Sequence, residues 1–140
     1  MRNNEFYTCK SKLLPGHNYK EVAKVARRIF RKIEMKTKRR PYIRSAYFDG
    51  DKLFLDNFWP HLNQKNPIER RNRLKFLECA IEFVENSKKA PVLEIKDQFK
   101  KEVLYRFIGQ VSDKYFIIQI KEDTKRGQRF LMSIFEYTKK

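Results

Sequence analysis

The spacing of apolar residues changes once along this chain, and that change limits the folds available to it. Between residues 18 and 34 the apolar residues recur at the spacing of one helix face. These residues are Val22, Val25, Ala26, Ile29, Phe30 and Ile33. After Pro91 the pattern becomes that of strands, over residues 101–108, 115–120 and 129–135. Helices followed by strands predict an α+β domain in which helices cover one face of an antiparallel sheet.

Two polar residues mark predicted helix starts. Asn18 and Asn66 are each followed by a glutamate three positions later, as in a capping box. Pro67 takes the first helical position of the second of these helices, which is predicted to end near residue 86 or 87. A short helix is predicted between them, over residues 57–63.

A β-hairpin is predicted after the first helix. Strand patterns at residues 42–48 and 52–55 flank Asp49-Gly50, a dipeptide typical of tight turns. Residues 1–17 show no periodicity, and we interpret them as an extended or mobile lead-in. The remainder, residues 18–140, has the length of a single domain with one hydrophobic core.

The net charge of the chain is its strongest functional signal. Lysine and arginine total 33 against 17 acidic residues, which gives +16 at pH 7. A charge of this size opposes compaction, and it is typical of proteins that bind a polyanion. More than half of it (11 basic minus 2 acidic residues, or +9) comes from residues 20–44. RNA is therefore the predicted partner, and the alternative is a basic surface that only aids solubility.

No segment predicts a membrane or secretory location. Residues 1–6 lack the apolar core of a signal peptide, and no apolar run reaches the roughly 20 residues of a membrane span. Cys9 and Cys79 are the only cysteines, and nothing in the sequence indicates an oxidising compartment. We therefore expect a cytoplasmic protein without a membrane partner.

Basic residues interleaved with aromatic ones predict an RNA-binding surface. Arginine and lysine side chains bind phosphates, while tyrosine rings can stack on unpaired bases. The predicted RNA-binding residues are Arg39, Arg40, Tyr42, Arg44, Arg70, Arg71 and Arg73. The simpler interpretation of any one of them is a solvated helix face, so the prediction depends on the cluster.

His61 is the candidate general acid or base, because imidazole titrates near neutral pH. Lys65 follows four positions later, on the same side if the helix continues. A histidine beside lysine and arginine can cleave RNA without a metal. One group deprotonates the ribose 2′-hydroxyl, another protonates the leaving oxygen, and a cation stabilises the charge on phosphorus. The alternative is a histidine that only forms hydrogen bonds beside an aromatic core.

Polar residues embedded in the predicted strands form a further signal. Arg106, Gln119, Lys121 and Ser133 interrupt otherwise apolar runs. A strand of this kind tolerates such residues where a partner or ligand satisfies them, so we predict an anion pocket if they converge on one face of the sheet. The alternative is that each side chain points to solvent.

Several other chemistries lack their sequence patterns. The chain has no paired Cys/His spacing for zinc and no glycine-rich phosphate loop. Glu122 and Asp123 are adjacent, and adjacent side chains on an extended chain diverge, so no two-metal carboxylate site is evident. We therefore predict neither a metal nor a cofactor.

Residues 42–136 resemble the barnase–EndoU–colicin–RelE-like (BECR) ribonucleases, above all the small phage and toxin-associated members. The matching motifs are His61 in Phe-Trp-Pro-His-Leu, Arg106 in Leu-Tyr-Arg-Phe-Ile-Gly, Lys121 in Ile-Gln-Ile-Lys-Glu-Asp and Ser133 in Leu-Met-Ser-Ile-Phe. The segments Arg-Arg-Pro-Tyr-Ile-Arg-Ser and Met-Ser-Ile-Phe also resemble those of a set of small basic proteins. The likeness to the ribonucleases implies a RelE/barnase-like arrangement of helices and sheet, and an acidic antitoxin or inhibitor as a partner.

The leading prediction is a metal-independent endoribonuclease of the toxin type. His61 would be the general acid or base, with Lys65 as a second candidate. Arg106 and Lys121 would hold the scissile phosphate, which Ser133 would orient. The second prediction is a non-catalytic RNA-binding protein, for example on the ribosome. The third is a DNA-binding regulator that reads the major groove with the helix at 20–34.

Overall fold

The computed structural model describes residues 6–138 and confirms the predicted α+β class. The strands are β1 (Tyr7–Thr8), β2 (Tyr42–Ser45), β3 (Asp51–Phe54), β4 (Leu93–Asp97), β5 (Glu102–Val111), β6 (Lys114–Asp123) and β7 (Gln128–Tyr137). The helices are α1 (Tyr19–Thr37), α2 (Phe58–Leu62), α3 (Pro67–Leu74) and α4 (Leu77–Asn86). The antiparallel pairing of β2 with β3 confirms the predicted hairpin, but β2 ends at Ser45 and residues 46–50 form the turn, so the predicted strand over 42–48 and the two-residue turn were wrong.

The strands belong to one mixed sheet. Its order is β1-β5-β6-β7-β3-β2, and β4 pairs with the same edge of β5 as β1 does. The pairs β1–β5 and β3–β7 are parallel, and the remaining pairs are antiparallel. This corrects the prediction of an antiparallel sheet. The long connection from β3 through the helices and three strands lets β7 return in the same direction, because parallel neighbours need such a crossover.

β5 alternates between core residues and outer-face residues. Tyr105 and Phe107 are buried on the core face, whereas Arg106 between them is on the outer face and partly exposed. α4 covers this face, with the Phe83 ring centroid 6.0 Å from that of Phe107 and 6.3 Å from that of Phe116. A Cβ on Gly109 would lie 2.6 Å from Phe116 Cζ and 2.9 Å from Phe83 Cδ2. Glycine is therefore required where these rings approach the backbone of β5.

α1 begins at the predicted cap and buries the predicted apolar stripe. Asn18 Oδ1 accepts the backbone N–H of Glu21 at 3.0 Å. Ala26 and Phe30 are buried on the inner side of the helix. The Phe30 ring stacks on that of Phe58 at 5.8 Å between centroids, so α1 holds α2 in place.

The prediction of one continuous helix from residue 66 to about 87 was wrong, because the chain forms two helices there, α3 and α4. Asn66 caps α3 as predicted, with Oδ1 accepting the backbone N–H of Glu69 at 2.9 Å. The chain then turns at Lys75 and Phe76, and the buried Phe76 ring lies 5.4 Å from that of Phe116. The break lets α3 pack on α1 and β7 while α4 packs on β2 and β5.

The described part of the predicted lead-in, residues 6–17, is extended and docked on the rest of the fold. β1 adds to the edge of β5, and the side chains of Cys9 and Leu14 are buried in the core. The sequence did not predict this docking, because a two-residue strand is too short to show alternation. Residues 1–5 of the lead-in lie outside the described part of the chain.

Glu82 of α4 holds this docked segment. Its carboxylate accepts hydrogen bonds of 2.7–3.1 Å from the backbone N–H groups of Lys10 and Ser11 and from the hydroxyls of Ser11 and Tyr7. Burial alone would raise the pKa of this carboxyl, but the donors lower it to about 2. The charged form therefore contributes stability that is fully present above the ordinary pKa of 4.5 and is lost as the pH falls through about 2.

Glu82→Gln is expected to lower the free energy of unfolding at pH 7 by about 1–3 kcal/mol, because a neutral amide replaces a charged acceptor of several donors. Urea denaturation measures this difference, which should narrow as the pH approaches 2. Glu78→Gln is the control on the exposed side of the same helix and should change stability by less than about 0.5 kcal/mol. Equal losses from the two replacements would contradict the role of Glu82.

Candidate functional site

Three polar residues lie in one row across the outer face of the sheet, the face opposite the core. Arg106 on β5 pairs with Gln119 on β6, and Gln119 pairs with Ser133 on β7. Cross-strand partners point to the same face, so these side chains are neighbours. Arg106 Nε donates a hydrogen bond to Gln119 Oε1 at 2.9 Å. The structure thus brings together three of the polar residues that interrupt the predicted strands.

A β-bulge in β7 gives Ser133 its position in this row. Gln119 pairs with Ser133, but the next residue of β6, Ile120, pairs with Leu131, so Met132 is the extra residue. In a regular strand Leu131 and Ser133 would share a face. The bulge instead places Leu131 in the core and Ser133 on the outer face, where it is 7% exposed.

α2 and α3 bring further residues to this row. Phe58 and Leu62 are buried and pack α2 against β7. His61, Ser133 and Arg73 of α3 line one narrow gap that has no room for a water molecule. We call this gap, together with the adjoining residues on the outer face of β5–β7, the cleft. Its polar and aromatic residues are His61, Arg73, Arg106, Gln119, Lys121, Ser133 and Phe135.

His61 is half-buried and surrounded by positive charge. Burial lowers the pKa of its imidazole, and the charges of Lys65, Arg73 and Lys121 lower it further by repelling the protonated ring. The pKa therefore lies below its ordinary value of 6.5, which favours the neutral ring over the protonated one. A neutral imidazole carries one unprotonated nitrogen, which can accept a proton.

Phe135 contacts two guanidinium groups at the rim of the cleft. Arg73 Cζ lies 5.2 Å from the centroid of the ring, and Arg106 Cζ lies 5.8 Å from it. Arg73 Nη2 also forms an ion pair with Glu69 Oε2 at 2.9 Å. Its buried Nε has no hydrogen-bond partner among residues 6–138. An anion at this rim would meet donors from a helix and from a strand.

Lys121 lies next to this row on β6. Its cross-strand partners are Leu104 and Phe130, and 35% of its side chain is exposed. Its Nζ is 3.7 Å from Glu102 Oε2, which is longer than a good hydrogen bond. Because the ammonium group is partly exposed and loosely paired, Lys121 is available to an incoming phosphate.

The outer face continues from Lys121 to the predicted RNA-binding residues of the hairpin. Lys121, Phe130, Phe54 and Tyr42 are successive cross-strand partners on β6, β7, β3 and β2. Arg40 Cζ lies 4.1 Å from the centroid of the Phe54 ring. Arg40 and Tyr42 are therefore on the same face of the sheet as the cleft, three strands away.

The arginines near the hairpin are partly engaged by the protein itself. Arg40 donates two hydrogen bonds to the Asp56 carboxylate, at 3.0 and 3.2 Å. Arg44 Nη1 donates to the backbone carbonyl of Gly50 at 3.0 Å. Arg39 follows α1 and is exposed. Each guanidinium carries five N–H donors, so Arg40 and Arg44 retain donors for a ligand.

Arg70 and Arg71 of α3 bind backbone carbonyls. Arg70 donates to the carbonyl oxygens of Lys65 at 2.6 Å and Asn63 at 2.8 Å, which stabilises the turn after α2. Arg71 Nη1 donates to the carbonyl oxygen of His17 at 3.1 Å, which stabilises the end of the lead-in. Sequence analysis missed these structural roles, because every residue has a backbone carbonyl and no residue type marks the one that binds an arginine. It also missed the place of Arg73 in the cleft.

Residues 6–138 contain no group of three or more His, Cys, Asp or Glu side chains placed to hold a metal ion. Over the same residues, no helix combines the length and the apolar character that a bilayer span needs. The chemistry of the cleft is therefore argued from its imidazole, ammonium, guanidinium and hydroxyl groups.

Comparisons with protein-family models, with curated proteins and with solved structures give no match for this chain. The cleft is thus interpreted from its own geometry. The likeness of its motifs to those of BECR ribonucleases stays a prediction, as does the RelE/barnase-like detail of the fold.

Proposed function

We propose that this protein is a metal-independent endoribonuclease and that the cleft is its active site. One observation carries the proposal: His61 lines one gap with Arg73 and Ser133, and burial and the charges of three nearby cations lower the pKa of its imidazole. A neutral base surrounded by cations suits a reaction in which a proton is removed while negative charge develops. The net charge of +16 favours a polyanionic substrate.

The reaction would begin at a ribose 2′-hydroxyl of the substrate. His61 accepts the hydroxyl proton, the 2′-oxygen forms a bond to phosphorus, and the bond from phosphorus to the 5′-oxygen breaks. The leaving 5′-oxygen takes a proton from the ammonium group of Lys65, the second acid/base candidate. The products are a 2′,3′-cyclic phosphate and a 5′-hydroxyl, and proton exchange with water restores both side chains.

The cations of the cleft would stabilise the charge on the phosphorane. Arg106 and Lys121 reach the rim from adjacent strands, and Arg73 reaches it from α3. Charge-assisted hydrogen bonds from such groups strengthen as the phosphoryl oxygens become more negative. Ser133 would orient the phosphate through its hydroxyl. Arg73 and Lys121 would thus act twice, since they also keep His61 neutral.

The proposed activity agrees with the resemblance of residues 42–136 to toxin-associated BECR ribonucleases. A ribonuclease of that kind would act on RNA in the cytoplasm and would need an inhibitor there. An acidic antitoxin that covers the outer face of the sheet would be complementary to the charge of +16. Such a partner is part of the proposal.

A non-catalytic RNA-binding protein is the second candidate, and one observation favours it. The gap between His61 and Ser133 has no room for a water molecule. Ligand pockets commonly begin at about 300 Å³, so a nucleotide does not fit inside this gap. A phosphate would meet Lys121 and Arg106 at the rim. In the second candidate the RNA stays there, without reaching His61.

Cleavage of RNA in the presence of EDTA tests the proposal. We expect the purified protein to cleave total RNA at an unchanged rate after the chelator is added, with products that end in a 2′,3′-cyclic phosphate. The matched control is a pair of oligonucleotides of one sequence, RNA and DNA. The DNA should remain intact because it lacks the 2′-hydroxyl. Tight, salt-sensitive binding of RNA without cleavage would overturn the proposal and support the second candidate.

A further inference from the structure

Phe99 is 98% exposed, at the turn between β4 and β5. Neither Phe99 nor this turn has a role in the cleft described above. The ring buries almost no surface, so it adds no hydrophobic stabilisation to the fold. An exposed aromatic ring among basic residues is instead typical of a surface that stacks unpaired bases.

The turn that carries Phe99 has a fixed backbone. Asp97 Oδ1 accepts the backbone N–H groups of Phe99 and Lys100, both at 3.1 Å. The Lys101 carbonyl oxygen accepts the backbone N–H of Thr124 at 3.1 Å and its hydroxyl at 3.0 Å. The turn between β4 and β5 is therefore joined to the turn between β6 and β7. Such preorganisation reduces the entropy lost when a ligand binds.

A groove of about 440 Å³ lies between these two turns and the outer face of the sheet. Phe99 and Phe130 line it, and so does Lys121, whose charge also acts on His61. Lys121 is therefore the residue that links the groove to the cleft. Its cationic side chains are Lys100, Lys101, Lys121, Lys125 and Arg126.

Two carboxylates also line this groove, Asp123 and Glu102, and backbone donors engage the first of them. Asp123 Oδ1 accepts the backbone N–H groups of Lys125 at 3.0 Å and Arg126 at 3.3 Å. Glu102 lies 3.7 Å from Lys121 Nζ. The turn residues themselves, 98–101 and 124–127, include four basic residues and no acidic one. With five cationic and two acidic side chains, the groove favours an anionic ligand over a neutral or cationic one.

We propose that this groove binds an unpaired base and its phosphate next to the scissile phosphate, which makes single-stranded RNA the substrate. This inference rests on the proposed function, because it places the neighbouring phosphate at Lys121, one of the cations whose charge acts on His61. The base stacks on Phe99, and the basic turn residues bind the phosphate. A duplex keeps its bases paired and stacked inside the helix, so it cannot offer a base face to the ring.

Binding to short RNA tests the groove directly. His61→Ala protein keeps the RNA intact, and fluorescence anisotropy measures its affinity for a labelled single-stranded hexanucleotide. Adding Phe99→Ala is expected to weaken binding by about 5- to 150-fold, the equivalent of losing one stacked base. Phe99→Trp should retain the affinity, and its added tryptophan emission should be quenched by RNA. One abasic position in the hexanucleotide should remove the effect of Phe99→Ala.

Two controls separate stacking from general effects. Ile68→Ala removes another exposed apolar side chain, 64% exposed on α3, and should leave the affinity unchanged. A blunt-ended RNA duplex should bind more weakly than the single strand at the same phosphate concentration, and Phe99→Ala should not change its affinity. If the Phe99→Ala variant and its parent bound the single strand with equal affinity, the proposal that the groove binds RNA would be overturned. The turn would then be interpreted as a contact for a protein partner.

The groove and the proposed activity can fail separately. If the affinity for RNA depends on Phe99 but the protein never cleaves RNA, the groove is supported as an RNA-binding site and the endoribonuclease activity is rejected. If cleavage depends on His61 but the affinity for RNA does not depend on Phe99, the endoribonuclease activity is supported and the groove is rejected as an RNA-binding site.

Discussion

Replacing His61 by alanine is expected to lower the rate of RNA cleavage by about 100- to 10,000-fold, the contribution typical of a general base. The fold should persist, because the ring is half-buried and α2 is held by the buried side chains of Phe58 and Leu62. A labelled oligonucleotide reports the rate, and thermal unfolding reports the fold. If the His61→Ala protein cleaved RNA at the wild-type rate, the cleft would not be the active site.

The chain provides its own matched control, because it contains one other histidine, His17. His17 contacts the protein through its backbone, with its N–H donating to Glu21 Oε1 and its carbonyl accepting from Arg71 Nη1. His17→Ala therefore preserves these contacts and should cleave RNA at the wild-type rate. Equal losses from the two replacements would indicate a general effect of losing imidazole rather than a role in the cleft.

The pH dependence of kcat/KM distinguishes a base from a structural residue. His61 must be neutral to accept a proton, so kcat/KM should be level at pH 7 and should fall as the pH drops through its lowered pKa, below 6.5. Lys65→Met removes one of the positive charges that lower this pKa. The fall in kcat/KM at low pH, its acid limb, should then move to higher pH, and kcat/KM should also drop at pH 7 because Lys65 is the proposed general acid. A Lys65 that only supports the fold would change the rate at every pH without moving the limb.

Replacing Arg129 by methionine is expected to lower the free energy of unfolding by about 3 kcal/mol, the scale of breaking a largely buried ion pair. Arg129 Nε lies 3.0 Å from Glu122 Oε1, and Nη1 lies 3.0 Å from Asp51 Oδ2. Its Cζ lies 4.0 Å from the centroid of the Phe48 ring. The replacement would leave Glu122, whose side chain is 17% exposed, with the Tyr105 hydroxyl at 2.8 Å as its remaining donor.

Two further variants make this stability prediction specific. Lys114→Ala breaks an exposed ion pair with Glu136, whose side chains are 47% and 44% exposed, and should cost less than about 1 kcal/mol. Glu122→Gln added to Arg129→Met should recover part of the loss, because it removes the unpaired charge. Chemical denaturation of the four proteins provides the comparison. A loss below about 1 kcal/mol for Arg129→Met alone would show that the pair is unimportant.

The elements that sequence analysis predicted are those with a strong local signal. α1, the β2–β3 hairpin, α2 and the three long strands each show a cap, a turn dipeptide or a regular apolar spacing. β4 was missed because it is exposed, including Leu93 and Ile95, so burial imposes no alternation on it. The break at Phe76 was missed because both helices around it are amphipathic, and only their different packing partners separate them.

The site shows the same division between local and long-range information. His61, Arg106, Lys121 and Ser133 were identified by residue type in an unusual context, and the structure brings them to one cleft. Their roles stay predictions. Arg70 was assigned to RNA from its charge, yet its guanidinium binds two backbone carbonyls, which no sequence pattern marks.

The sequence by itself determined the order of helices and strands, the positive charge and the residue types available for acid/base chemistry. These are local properties, because periodicity, caps and ionisation depend on near neighbours or on single side chains. Only the tertiary structure decided which cations surround His61 and that Phe99 stands at the same groove as Lys121. Those arrangements depend on the bulge in β7, the parallel pairing of β3 with β7 and the docking of α2. Each is a contact between residues that are distant in the chain. The free energy of such a contact depends on both partners, so no short segment of the sequence predicts it.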